Sequence, residues 1–158
     1  MLENPEKEYG YEEIYLLHNK CIAESRDNCD PSVMFGGRKF RVPVIPANMK
    51  AVIDDRLAVW MAKNNYFYIM HRFNGTRSFI NLFEAALNSN PDIVSSISVG
   101  VKEEDRQLIG TIKKYHRHPD YITIDIAHGH CLAMKEMIAF IREELPNTFI
   151  IAGNICTA

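Results

Sequence analysis

A parallel α/β fold is the architecture this sequence predicts, on three observations. Five short apolar runs recur along the 158 residues: Pro43–Pro46, Tyr66–His71, Val94–Val99, Tyr121–Ala127 and Phe149–Ala152. Each is continuous and bounded by turn signals, as strands buried on both faces are. Helix-length amphipathic segments fill the gaps, and strict β–α alternation argues for strands lying side by side in a parallel sheet. Third, polar residues collect just after the runs: Asn48 and Met49, His71 and Arg72, Gly100, Asp125 with His128 and His130, and Asn154. In a β/α barrel that end of the strands carries the chemistry. Five strands do not close an eight-stranded barrel, so the chain reads as the first part of a larger machine.

The elements follow in order. Residues 1–42 read as an N-terminal lead-in and hairpin, and 43–158 as the partial barrel. Ile14–Leu17 is a short extended stretch and Cys21–Asp30 a polar loop. Val33–Phe35 and Lys39–Val42 flank Gly36-Gly37, a two-residue hairpin signal. Helices are expected at Asp54–Asn64, Arg77–Asn88, Glu103–Arg117 and Cys131–Glu144. The second follows the turn-like Asn74-Gly75-Thr76. The third opens on Lys102-Glu103-Glu104-Asp105, whose acids suit the positive end of a helix dipole. Pro119 and Pro146 lie beyond helix ends, where they stop a helix without disrupting one.

Composition excludes several classes of function. The chain is 47% hydrophobic and 24% charged, ordinary for a globular protein. A net charge of -2 gives no electrostatic case for nucleic acid or an anionic membrane as a partner. No run approaches the roughly 18 apolar residues of a membrane span. The acidic start MLENPEKEYGYEE is unlike a signal peptide, which points to a cytoplasmic protein with reduced thiols. Cys21, Cys29, Cys131 and Cys156 form no C-x-x-C pair, so zinc is poorly supported.

Several residues could carry chemistry. Asp125 ends the run Tyr121–Ala127, where a carboxylate at a barrel mouth could accept two hydrogen bonds from a ribose diol. It could equally cap the next helix or fix its loop. His128-Gly129-His130 has the H-x-H spacing of some metal sites, yet it follows the strand rather than lying in it. A loop-building role, with Gly129 allowing a tight turn, is the preferred reading. Met49 offers a polarizable surface to a flat ring, or ordinary packing. Arg72 is a mouth cation or a solvated charge. Ser25-Arg26 is unremarkable alone, and Gly153-Asn154 supplies a close-approach glycine and an amide.

These pieces, in this order, resemble the IMP dehydrogenase/GMP reductase family, and its bacterial reductases most. The stretches that carry the resemblance are YEEIYLLHNKCIAESRDNCD (11–30), FRVPVIPANM (40–49), YFYIMHRF (66–73), SSISVGVKE (95–103), YITIDIAHGH (121–130) and LPNTFIIAGN (145–154). Two features set it apart from the dehydrogenase branch. Only Ser89–Asp92 stand where that branch usually has a regulatory insert, and Ala47-Asn48-Met49 replaces a Ser-Pro-Met-type motif.

The resemblance implies a phosphate-binding TIM (β/α)8 barrel, of which this chain carries about the first five strands, and NADPH-dependent reductive deamination of GMP to IMP with release of ammonia. In that chemistry a cysteine attacks carbon 2 of the purine, ammonia leaves, and the nicotinamide hydride completes the reduction. Carried over by motif, Met49 packs under the purine and Asn154 lies near substrate and cofactor. Asp125, Ile126 and Ala127 line the nicotinamide-ribose site. Arg72 takes the place of a basic cofactor contact, and Ser25 and Arg26 match a segment that reaches a neighbouring subunit's cofactor. Open edges on the first and fifth strands and an uncovered apolar inner face predict a homo-oligomer or a complementing C-terminal fragment as partner.

The family's catalytic cysteine follows its sixth strand and its phosphate-binding glycines follow the seventh and eighth. Both fall beyond Ala158, and Cys156 does not match the nucleophile. The expectation is therefore a fragment, inactive alone. Alternatives are a non-catalytic half-barrel assembly module, an IMP dehydrogenase-like fragment, or metal-dependent hydrolysis at His128 and His130.

Overall fold

The computed structural model describes residues 10–73, 76–88, 90, 92–114 and 118–155; at 11, 76–79, 82 and 87 it describes the backbone alone. Contacts divide the chain into two compact units, Met1–Asp30 and Pro31–Ala158. In the first, a 3-10 turn spans Tyr11–Glu13, the Gly10 N–H donating to Glu13 Oε2 at 2.9 Å. A second spans Arg26–Asn28, opened by Ser25, whose Oγ accepts the Asp27 N–H. Ile14 between them is extended, as expected.

The second unit begins with the anticipated hairpin. Strands β1 (Val33–Phe35) and β2 (Arg38–Phe40) pair antiparallel, Phe35 opposite Arg38. Gly36 and Gly37 take φ of +53° and +82°, the left-handed backbone of a type I′ turn. Helix α1 (Asp55–Lys63) starts on Asp54, whose Oδ1 accepts the Leu57 N–H at 2.8 Å. It ends with Asn65 at φ +58° and a Tyr66 N–H to Met61 C=O bond of 3.0 Å, a Schellman closure with asparagine in glycine's usual place. Helix α2 spans Thr76–Leu87, α3 Glu103–Ile112 and α4 Leu132–Glu144. Of the expected third helix, residues 113 and 114 have left the helix, and 115–117 lie outside the described residues.

Strands β3 (Ser96–Val99), β4 (Tyr121–Asp125) and β5 (Phe149–Gly153) form a parallel sheet in the order β3-β4-β5. Its two faces follow from strand alternation. Ile97, Val99, Ile122, Ile124, Ile150 and Ala152 join Ile109, Ile112, Met134, Met137 and Ile141 of α3 and α4 in the main core. The opposite face carries three registered rows. Ser96, Tyr121 and Phe149 make the first, Ser98, Thr123 and Ile151 the second, and Asp125 and Gly153 the third.

The first row is sealed by the hairpin. Phe35, Phe40, Phe67, Tyr121 and Phe149 form one aromatic cluster, with Phe67 and Tyr121 centroids 4.9 Å apart and edge-to-face. The Tyr121 hydroxyl donates to the Phe35 C=O at 2.7 Å. Beside it Asp120 Oδ2 accepts the Ser95 N–H and hydroxyl, while Oδ1 takes Arg38 Nη2 at 2.6 Å.

Two of the five expected strands do not form. Residues 43–46 join no ladder, and Val44 and Ile45 are 64% and 48% exposed. Residues 66–71 are buried at Phe67, Tyr68, Met70 and His71, yet they are not a strand either. The reason lies on the free edge of β3. There the Tyr68 hydroxyl donates to the Val94 C=O at 3.1 Å and accepts the Ser96 N–H at 3.3 Å. One phenol thus takes two backbone groups that a neighbouring strand would use.

Candidate functional site

Asp125 closes β4 on the face turned away from the helices, at the far end from the aromatic seal. Arg72 Nε stands 3.9 Å from its Oδ2, with side chains 35% and 22% exposed. At that spacing the two attract as charges without a hydrogen bond. The Arg72 guanidinium also lies over the Phe73 ring, 4.7 Å from its centroid. The Phe73 N–H in turn donates to Nδ1 of buried His71 at 3.1 Å, which leaves the proton of a neutral ring on Nε2.

The turn after β3 approaches the same cation. Asp105 Oδ1 accepts the Gly100 N–H at 2.8 Å and Oδ2 the Lys102 N–H at 3.0 Å. A Cβ on Gly100 would lie 2.7 Å from Asp105 Oδ2 and 3.6 Å from Arg72 Nη1, so the missing side chain lets the turn close. Asp105 and Phe73 are the residues that the sequence reading overlooked here. Lys102-x-x-Asp105 did carry the spacing of a helix-capping acid, while nothing in the sequence marks Phe73 as the surface under Arg72.

Asn154 is tied to the loop after β4 through its backbone. Its N–H donates to the Ile126 C=O and its C=O accepts the Gly129 N–H, both at 2.8 Å. A Cβ on Gly129 would sit 2.8 Å from both Asn154 O and Ile155 Cγ1, so glycine lets the two segments approach this closely between the two histidines. His128 and His130 themselves are exposed. Among the described residues no group of three or more His, Cys, Asp or Glu could hold a metal ion.

The remaining candidates are more scattered. Ile126 packs against the helix-side core, and Ala127 is exposed. Met49 is 56% exposed in a turn where its C=O accepts the Val52 and Ile53 N–H groups. Among the described residues no hydrogen bond or ion pair joins it to Arg72 or Asp125. Ser25 and Arg26 belong to the first unit. Cys21 and Cys29 are exposed, Cys131 is half-buried, and Cys156 lies outside the described residues. A cavity of about 250 Å³ lies along α4, lined by Cys131, Met134, Lys135, Ile138 and Ile155 among others, and shares no residue with the Arg72–Asp125 pair.

The arrangement is thus a parallel α/β sheet whose C-terminal strand end holds a cation, an acceptor carboxylate and a glycine turn. That combination suits a polar ligand with hydroxyl and anionic groups. Residues 8–158 match the IMP dehydrogenase / GMP reductase domain, and the chain belongs to that family. A protein named GMP reductase from Bacillus licheniformis is 50% identical over 154 residues, covering 96% of this chain and 46% of its own length. One from Oenococcus oeni is 49% identical over 149 residues, 94% of this chain and 45% of its own. One from Bacillus thuringiensis is 47% identical over 159 residues, 99% and 46%. The chain therefore spans about half the length of the relatives it matches. No helix among the described residues is long and apolar enough to cross a membrane.

Proposed function

We propose that this chain supplies the first part of a TIM barrel of GMP reductase type, an oxidoreductase that converts GMP to IMP and ammonia using NADPH. The observation that carries the reading is the Arg72–Asp125 pair at the mouth end of the sheet, in a chain whose relatives are named GMP reductase.

The residues fit a dinucleotide. Among the described residues the Asp125 carboxylate accepts no hydrogen bond, and its nearest cation is 3.9 Å away. Its lone pairs are therefore free for a ribose diol. Arg72, half-exposed and steadied on Phe73, offers charge to an anionic group beside it. When bound, NADPH supplies the hydride. Ala127 and the backbone of Ile126, whose side chain packs toward the helices, follow Asp125 along the ribose site, Met49 presents a thioether face to the purine, and Asn154 borders substrate and cofactor. Ser25 and Arg26 reach the cofactor of a second copy in a homo-oligomer. The nucleophilic cysteine and the phosphate-binding turns come from chain beyond these residues.

The test is complementation. The purified chain is mixed with GMP and NADPH, with and without a polypeptide carrying the remaining strands of a relative, and the cofactor absorbance is followed. GMP-dependent oxidation only in the mixture is expected. In the mixture, Asp125→Ala should weaken NADPH binding by about 1.5–3 kcal/mol, the worth of a hydrogen bond to a charged group. Unchanged cofactor affinity would remove Asp125 from the site. Turnover by the chain alone, abolished in Cys156→Ala, would mean that the nucleophile lies within it.

A further inference from the structure

Three of the five buried side-chain atoms without a hydrogen-bond partner among the described residues are hydroxyls on one face of one strand pair: Ser96 Oγ, Ser98 Oγ and Thr123 Oγ1. Their residues are 0%, 5% and 6% exposed, so bulk water does not reach them. Ser98 and Thr123 are direct neighbours in the β3–β4 register, and Ser96 lies two residues below Ser98 on the same face. A buried hydroxyl left unpaired is costly, and native interiors rarely leave several together.

We propose that this face holds an internal hydration site, with a resident water bridging Ser98 Oγ and Thr123 Oγ1 and continuing to Ser96 Oγ. Each hydroxyl both donates and accepts, and none is charged, so the ligand must be small, neutral and able to do both. Water satisfies all three conditions. Ser98 and Thr123 are small and polar, set between the row of Tyr121 and Phe149 below and Asp125 above, and buried polar positions of this kind are where internal waters reside. Above the row the Asp125 carboxylate has Arg72 for its charge, so no cation is needed in the hydroxyl layer. The site needs no nucleotide, and it stands or falls separately from the enzymatic reading.

The experiment is water–protein cross-relaxation NMR on this chain, reading the amides of Ser98 and Thr123. Cross-peaks from a long-lived water are expected at both, and should vanish in Thr123→Val. In urea unfolding, Thr123→Val should raise the unfolded-to-folded ratio about five- to tenfold, the worth of one net hydrogen bond. Thr123→Ser, which keeps the hydroxyl, should retain the water signal. Absence of long-lived water in the parent chain overturns the proposal. So does a Thr123→Val chain at least as stable as the parent, because a methyl would then have replaced a hydroxyl that truly had no partner.

Discussion

Strand β4 begins after one aspartate and ends on another, five residues apart, and the two are used in opposite ways. Asp120 is saturated. Its carboxylate accepts the Ser95 N–H at 2.8 Å, the Ser95 hydroxyl at 3.1 Å and Arg38 at 2.6 Å, and Arg38 also bonds the Asp92 C=O. It fastens the hairpin across the aromatic end of the sheet. Asp125 is left open, with one arginine 3.9 Å away and no hydrogen bond to its carboxylate among the described residues. A carboxylate whose lone pairs are all taken can only hold structure, whereas one with lone pairs to spare can bind. On the proposed function, the same strand separates a stability end from a binding end, the division that β/α barrels make.

The largest effect should come from breaking the saturated end. Asp120→Ala removes a shared acceptor and strands the Ser95 N–H and the Arg38 charge in partly buried surroundings. Urea unfolding should show a loss of about 3 kcal/mol, in the range of hydrogen bonds to a charged group. A loss under about 1 kcal/mol would put this pair with ordinary surface ion pairs and erase the contrast with Asp125.

Next comes Tyr68, which holds the free edge of β3. Tyr68→Phe leaves the Val94 C=O and Ser96 N–H without their partner, at a cost of about 2 kcal/mol. The same phenol makes the fold sensitive to alkali. Burial pushes the Tyr68 hydroxyl well above its ordinary value of 10.0. Burial raises Tyr121 too, with Asp120 adding to the rise and Arg38 opposing it. Both rings stay protonated in the fold when an unfolded chain would lose the protons. Their contribution is therefore complete below about pH 10 and declines as the pH rises beyond it. Urea midpoints should fall above that pH, and less steeply in Tyr68→Phe than in the parent. Parallel curves would mean that Tyr68 is not the group responsible.

Tyr68 also marks the limit of what the sequence disclosed. The four helices, the Gly36-Gly37 hairpin and the last three strands were legible, because periodicity and turn chemistry are local. Burial of 66–71 was legible for the same reason. Whether a buried run joins a ladder depends on which groups reach the neighbouring edge first, and a side chain 26 residues from Val94 decided that. At the site, Asp125 could be assigned to one end of the sheet from strand direction alone, whereas Arg72 was expected there after a run that forms no strand, and its ion pair with Asp125 brings it to that end. That Phe73 lies under Arg72, and that Ile126 packs toward the helices, depended on side-chain directions after a strand ends, where the two-residue alternation no longer holds.

A smaller effect is expected where the loop after β4 meets the segment after β5. Gly129→Ala places a methyl 2.8 Å from Asn154 O and Ile155 Cγ1, so the two segments must part slightly. A cost of about 1 kcal/mol is expected, the low end of overpacking. The Asn154 N–H and Gly129 N–H should then lose hydrogen-exchange protection before the strands do. Unchanged protection would show that the loop is not held by that close approach.

The smallest effect on stability should come from Asp125, and that is what makes it informative. Its pair with Arg72 is long, partly exposed and without a hydrogen bond. Such pairs contribute roughly 0–1 kcal/mol, so Asp125→Ala should unfold within about 1 kcal/mol of the parent. Arg72→Ala should cost slightly more, because it also removes the cation over Phe73, worth about 0.5–1 kcal/mol at an exposed site. Both single variants and the double variant form a cycle that isolates the pair. A coupling energy well below 1 kcal/mol in stability is expected, falling further as salt is added. A coupling of 2 kcal/mol or more would make Asp125 a second structural clasp like Asp120, with its lone pairs committed and none left for a ligand. The two ends of β4 would then differ in position only, and the binding proposed for this end of the sheet would have to be carried by other residues.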